Sequence, residues 1–311
     1  MDDYIGIDIS KKSFDVHYFK KNYDKTYNYT QKNIKAFIEQ LTKGKPKLIV
    51  MEATGGYEFT LASELHAASL PVAVINPRRI RDFARAVGQL AKTDKIDARI
   101  IAQYAATLNP PPQTIIDKAA EKIKAFVVRR RQLITMRTSE KNRKEHARDK
   151  KISKSIDKII KQIDNEIVKM DQDIQKFIDN MPELKQKAAI INSTPGIGNI
   201  TANMLIGELP ELGLLNRRQI ASLVGIAPIN RDSGQFRGKR MTGGGRKEVR
   251  HQLLMPTLAA IQYNPVISEF YKRLIAGGKP KMTAVVASMR KLLVILNSMV
   301  KKNQTWELKI A

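Results

Sequence analysis

YIGIDIS (4–10) and KLIVMEA (47–53) decide the architecture of the first third of the chain. The first is a short β-branched run with Asp8 between Ile7 and Ile9. SFDVHYFK (13–20) and KTYNYT (25–30) follow, separated by Lys, Asn and Asp turns, and all three read as strands. KLIVMEA is continuously apolar, as in a strand buried on both faces, and closes on Glu52. Between the two lies an amphipathic helix with Ile34, Phe37, Ile38 and Leu41 on one face. Downstream, TGGYEFTLASELHAAS (54–69) reads as a helix, PVAVINP (71–77) as another buried strand and RRIRDFARAVG (78–88) as a further helix. DKIDARIIAQYAATL (94–108) completes the series and stops at Asn109-Pro110-Pro111-Pro112. Strands first, then strand–helix–strand–helix, predict an α/β domain with a mixed central sheet over 1–112.

Residues 113–187 change character. From Ile152 onward, Ile156, Ile159, Ile163, Ile167, Met170, Ile174, Phe177, Met181 and Leu184 recur at spacings of three and four. That is a coiled-coil seam with one irregularity, serving either an intramolecular hairpin or a dimer interface. The stretch 122–154 holds seven Lys and six Arg against three acids, an excess of +10. Like charges at that density repel along a helix, so nucleic-acid contact through Arg129, Arg130 and Arg131 explains them better than a solvated face, with packing against the chain's own acids as the other reading. The remainder, 188–311, reads as a helical domain interrupted by a glycine-rich basic loop, 231–246.

Composition narrows the partners. The 311 residues include 55 Lys and Arg against 30 Asp and Glu, a net charge of +25. Such a charge attracts polyanions, and without any run of 18 apolar residues nucleic acid fits better than a membrane. The chain contains no cysteine, which excludes thiolate metal sites and is compatible with a reducing cytoplasm. MDDYIGID has no basic region followed by an apolar stretch, so no secretion signal is expected. Its four histidines (17, 66, 146 and 251) are scattered, so any metal must be held by carboxylates.

Four carboxylates stand in suggestive places. Asp8 lies on the first strand, Glu52 closes the buried one, and Asp94 and Asp97 share a helix face three residues apart. Singly, each reads as well as a turn former or a match to the helix dipole. Together they belong to elements whose topology can bring them to one sheet edge, where open α/β sheets place their sites. Phosphodiester chemistry with two magnesium or manganese ions needs such converging acids.

Two further motifs lie in the C-terminal domain. PGIG (195–198), after Ser193 and Thr194, resembles a helix-hairpin-helix turn whose Gly196 and Gly198 amides can approach a phosphate; a plain helix–helix turn reads equally well. In RDSGQFRGKRMTGGGRKEVR (231–250), Ser233 is followed by Arg237, Lys239, Arg240, Arg246 and Arg250. A serine hydroxyl attacks only when activated, and guanidiniums can lower its pKa while gripping phosphoryl oxygens. From chemistry alone, a phosphate-binding loop is the stronger reading.

YIGIDISKKSFDV, MEATGGYE, VINPRRIRDFARAVGQLAKTDKIDARIIAQYA, STPGIGNITA, LVGIAPINRDSGQFRGKR and MRKLL (289–293) together resemble one family over nearly the whole chain. It is the insertion-sequence transposases with an N-terminal RuvC-like DEDD domain of RNase H-like fold and a C-terminal serine domain, which includes the pilin-gene invertases. The resemblance implies that Asp8, Glu52, Asp94 and Asp97 form the acidic tetrad and that Ser233 is the nucleophile of a covalent phosphoserine step. It also implies a structured noncoding guide RNA that pairs with donor and target DNA. Dimers or tetramers are implied as well, with the acidic site of one subunit completed by the serine of another, acting at the nucleoid in the bacterial cytoplasm. A Holliday-junction-type nuclease using only the carboxylates is the alternative. A non-catalytic nucleic-acid scaffold fits the paired acids less well.

Overall fold

β1 (Tyr4–Ile9), β2 (Ser13–Tyr18) and β3 (Tyr23–Asn28) form an antiparallel meander, with Ile7 opposite Val16 and Asp15 opposite Thr26. α1 (Gln31–Gly44) starts where the Thr30 side chain accepts the Asn33 N–H, and it buries Ile34, Phe37 and Leu41. β4 (Leu48–Glu52) then pairs with β1 in parallel. α2 (Glu58–Ala67) starts later than the sequence predicts. Gly55 and Gly56, at φ of 63° and 104°, hold the chain in a turn that a helix cannot include. β5 (Val72–Ile75), α3 (Pro77–Ala86) and α4 (Asp94–Leu108) complete the first unit, Met1–Asp117.

The sheet order is β3-β2-β1-β4-β5, antiparallel on one side of β1 and parallel on the other. Strand alternation sorts its side chains into two cores. Ile5, Ile7, Ile49, Met51 and Val72 face α1 and α2, where Phe37, Leu61 and Leu65 are fully buried. Tyr4, Leu48, Val50, Ala73 and Ile75 face the other way, onto Ile80 of α3 and Ile101, Tyr104 and Ala105 of α4. Gly6 belongs to this second face by parity. A Cβ there would run into the Ala98 carbonyl oxygen and the Ala102 nitrogen, so α4 lies backbone against backbone on β1.

The computed structural model describes residues 3–53, 55–89, 94–112, 118–230, 232–233, 236–238 and 240–307. Its second unit, Lys118–Ala311, opens with two long helices, α5 (Lys118–His146) and α6 (Lys150–Asp179), joined through the N-cap Asp149. Ile163 and Ile167 of α6 pack on Leu133 of α5, while Ile174 and Ile178 join the main core of the unit. The seam therefore closes an antiparallel hairpin within the chain, and only its start, Ile152 and Ile159, is exposed. Alongside runs a ladder of ion pairs: Arg130 with Asp171, Arg137 with Asp164 (2.9 Å) and Lys144 with Asp157 (2.6 Å). Successive rungs are seven residues apart, the repeat of a coiled coil.

α7 (Pro182–Asn192), α8 (Asn199–Glu208) and α9 (Arg217–Val224) follow. The basic loop expected at 231–246 is a β-hairpin rather than a loop. β6 (Pro228–Ile229) pairs with β9 (Met241–Thr242) at its base, and β7 (Asp232–Ser233) pairs with β8 (Phe236–Arg237) further out. Glycines and arginines mask its two-residue strand signal in the sequence. α10 (Lys247–Gln252), α11 (Leu254–Tyr263), α12 (Pro265–Ala276) and α13 (Lys281–Lys302) finish the unit. α13 is long and apolar enough to cross a membrane, yet it is the core helix of this unit, burying Met289, Leu292, Leu293, Leu296 and Met299. Its Asn297 accepts the Gly213 N–H and donates to the Leu215 carbonyl, both at 2.8 Å, pinning the turn before α9.

Gly6→Ala should push α4 off β1 and lower stability by about 1–3 kcal/mol, the usual cost of overpacking. A urea midpoint equal to that of the parent would show that α4 is not held by this contact.

Candidate active site

Parity and register assemble the acidic edge. Val50 lies opposite Gly6 and Ile7 opposite Met51, so Asp8 and Glu52 follow at the C-terminal ends of adjacent parallel strands. Asp8 shares a face with Tyr4 and Gly6, and Glu52 shares it with Leu48 and Val50; this is the α4 face. Asp97 immediately precedes Ala98, whose carbonyl abuts Gly6, so the first turn of α4 carries it over the same part of β1. Asp8, Glu52 and Asp97 are all half-buried. The backbone of Asp94 begins α4, but its side chain lies outside the described residues. Among the described residues no three acidic or histidine side chains converge closely enough to hold an ion. The donor set nevertheless suits a hard divalent cation, since every member is a carboxylate.

Two acids that the sequence reading passed over share this face. Asp15 sits directly across the β1–β2 ladder from Asp8 and accepts a hydrogen bond from the Thr26 hydroxyl. Asp24 on β3 binds buried His17 (Nδ1 to Oδ1, 2.7 Å) and takes the Arg99 Nε of α4 at 3.0 and 3.2 Å. The Arg99 hydrogen bond is the main reason the Asp24 carboxyl is held down at about 2, with His17 adding to it. The alternation of Asp15 with His17 in SFDVHY was readable; their opposition to Asp8 and Asp24 needed the hairpin register.

Ser233 lies on the outer rung of the β-hairpin, exposed and paired with Phe236. The base of that arm is clamped. Gly225 ends α9 at φ 77°, and a Cβ on it would strike the Gly244 carbonyl. The Arg246 N–H donates to the Leu223 carbonyl at 2.8 Å. The Arg250 guanidinium donates to the same Gly244 carbonyl at 2.7 Å and reaches the carbonyls of Val224 and Gly225. Arg246 grips Glu211 bidentately at 2.5 and 2.6 Å and also bonds the Glu208 carbonyl. Glu208 is itself buried, pairs with Arg131 of α5 and accepts from Gln252 at 3.2 Å. Burial pushes its carboxyl up, and Arg131 opposes that shift.

Several residues expected to touch phosphate thus have partners inside the chain. Arg130 is spent on Asp171, Arg131 on Glu208, and Arg246 and Arg250 on the arm base. The run 129–131 looked surplus because its acids lie 41 and 77 residues downstream. Arg129 remains exposed and donates locally to Gln132 at 3.3 Å, and Arg240 is exposed too. Lys239 and the Arg237 side chain lie outside the described residues. The glycines of PGIG divide. A Cβ on Gly196 would come within 2.6 Å of the Ala260 nitrogen, so its lack of a side chain serves helix packing; around Gly198, the exposed N-cap of α8, the space is open.

Comparison with known proteins finds family matches over two stretches of the chain. Residues 5–147 match the IS110-type DEDD transposase family, and residues 188–272 match the transposase IS116/IS110/IS902 family. The pilin gene-inverting protein of Moraxella lacunata is 30% identical over 99% of this chain and 98% of its own length. The chain belongs to the IS110 family of transposases. The pilin gene-inverting protein of Moraxella bovis is likewise 30% identical over the same shares. An uncharacterized insertion element IS110 protein of Streptomyces coelicolor is 24% identical over 42% of this chain and 33% of its own. The mixed five-stranded sheet is the RNase H-like DEDD domain of the transposase, which acts as a DNA transposase or recombinase. A DEDD domain implies dependence on a divalent metal.

The pH response of the first unit follows from Asp24. Its carboxyl is lower in the folded chain than the usual value near 3.9, so it stabilises above about pH 4, and that contribution is lost as pH falls toward 2. Asp24→Asn should lower stability most at neutral pH, with the deficit shrinking as pH falls from about 4 toward 2, so that the acid limb of its stability–pH curve is flatter in this window. Superimposable acid limbs would remove Asp24 as a source of acid sensitivity.

Proposed function

We propose that the transposase cuts and rejoins DNA with Asp8, Glu52, Asp94 and Asp97 as a carboxylate tetrad for magnesium or manganese, and with Ser233 as the attacking group. The observation that carries this reading is the pairing of Asp8 and Glu52 on one face of adjacent strand ends, beneath the turn of α4 that bears Asp97. When bound, the metal supplies polarisation of a phosphoryl oxygen and charge stabilisation. The carboxylates orient it and exclude softer ions by offering only hard oxygen donors. Ser233 suits the attacking role because it is exposed at the outer rung of an arm whose base is fixed. Its Oγ forms a bond to phosphorus as one phosphodiester P–O bond breaks. The hydroxyl proton passes to solvent, and the departing oxygen takes a proton to leave as a strand-end hydroxyl.

Three assignments accompany the chemistry. Residues 1–112 act as the nuclease domain, 113–187 as the basic hairpin and 188–311 as the serine domain. Exposed Arg129, Gly198 and Arg240, together with Arg237 and Lys239, contact backbone phosphates of DNA or of a structured noncoding guide RNA. The net charge of +25 supports polyanion binding without supplying base-edge readout, which suits recognition by guide pairing. The active species is a dimer or tetramer.

Labelled element-end DNA mixed with the protein and the flanking noncoding RNA should yield a covalent protein–DNA adduct on a denaturing gel. Ser233→Ala should abolish adduct and strand exchange, by about 10³-fold or more, with nucleic-acid affinity within about twofold of the parent. Recombination at parental rates by Ser233→Ala would leave the carboxylate-only nuclease as the better reading.

A further inference from the structure

We propose that α3 is a DNA-backbone contact: its exposed stripe of Arg78, Arg81 and Arg85 holds phosphates of the duplex beside the acidic edge of the first unit. The helix is amphipathic in a particular way. Ile80, Phe83 and Ala84 turn inward, with Phe83 edge-on to Tyr104 at 5.4 Å between ring centroids. Arg79 is engaged over the Tyr104 ring at 5.8 Å. Arg78, Arg81 and Arg85 recur at i, i+3 and i+7 on the outer side, all exposed. Their Cα atoms span about 10 Å at 1.5 Å per residue, close to the axial length of three phosphate steps on one strand.

A charged stripe is ordinarily a solvated face, but this one is costly where it stands. Two of its arginines are a helical turn apart from the third, and like charges so placed repel. Arg78 and Arg79 occupy the first turn, where the helix dipole disfavours cations, and that turn contains no acid. The one acid on the helix, Asp82, meets Arg78 at 3.7 Å with both side chains largely in water, an arrangement of little energetic value. A polyanion outside the chain offsets both costs at once.

Position names the polyanion. Ile75, the last residue of β5, is registered against Glu52, and its carbonyl accepts the Ala53 N–H at 3.0 Å. Asn76 then caps α3, so the stripe begins three residues from the strand end that neighbours the acidic edge. Whatever nucleic acid presents a scissile phosphate to that edge passes the stripe, and for a DNA transposase that is DNA. The placement rests on the carboxylate reading above, whereas the binding itself needs no metal.

Fluorescence anisotropy of the full-length protein with a labelled duplex of arbitrary sequence, in EDTA across a salt series, separates the two. The triple variant R78Q/R81Q/R85Q should flatten log K against log salt by about 2–3 units, roughly 0.9 per lost phosphate contact. R78K/R81K/R85K should keep most of the slope, which guards against a folding defect in the glutamine variant. The charge-matched control K32Q/K35Q/K43Q, on α1 and thus on the opposite sheet face, should change it by less than one unit. Equal flattening by both glutamine triples, or none by the arginine set, overturns the proposal. Flattening with a structured RNA but not with duplex DNA overturns it in favour of an RNA contact. Because cutting is not measured, failure of the carboxylate assignment would instead show as parental nicking by Asp8→Asn.

Discussion

The first unit depends on a contact made by an atom that is absent. Gly6 has no Cβ, so α4 can settle with the Ala98 and Ala102 backbone directly on β1. The helical side of the acidic edge inherits its position from that approach. Strand parity puts Asp8 on the same face, parallel register brings Glu52 alongside, and helical geometry delivers Asp97 one residue before the contact. Arg99, two residues on, is then placed to reach Asp24 on the far strand of the meander. A side chain at position 6 would separate α4 from the strand, and the carboxylates of sheet and helix would no longer belong to one surface.

The second unit solves a different problem, that of anchoring a short β-arm on a helical body. An isolated two-stranded hairpin is marginal in water, and each ladder here has only two residues per strand. The contacts that anchor it lie at the base. Glycines 225 and 245 allow backbone to touch backbone, while Arg246 and Arg250 tie the returning strand to the end of α9 and to Glu211. Buried Glu208, which links Arg131 of α5 to Gln252 of α10, extends the tie to two more helices. A carboxylate that deep in the protein costs free energy unless paired, so the basic helix supplies an internal counter-ion as well as exposed charge.

Much of the architecture was legible because it rests on local periodicity. The apolar run at 48–51 marked a strand buried on both sides, and the spacing of Ile163, Ile167 and Ile174 marked a helical seam. What escaped was set by distance along the chain. No local pattern says that Arg130 meets Asp171 or that Arg131 meets Glu208, so a run of arginines read as surplus charge. Gly196 looked like a phosphate-approach glycine, and only the proximity of α11 gives it a packing role. The acids on strand ends were readable as candidates, but their common face followed from register, which needs the partner strand.

The ion-pair ladder of the long hairpin has an arithmetic consequence. Arg130 and Asp171, Arg137 and Asp164, and Lys144 and Asp157 are mirror pairs about the turn at Asp149, each step outward moving seven residues back on one helix and seven forward on the other. The hairpin therefore behaves as a ruler with matched graduations. An insertion confined to one helix slides every graduation beyond it out of alignment; a slide of one residue sets Arg137 against Ile163 or Asn165 instead of Asp164. Length can change without that cost only by equal steps of seven on both sides, so related proteins with longer or shorter hairpins should differ in multiples of fourteen residues, about two turns in each helix.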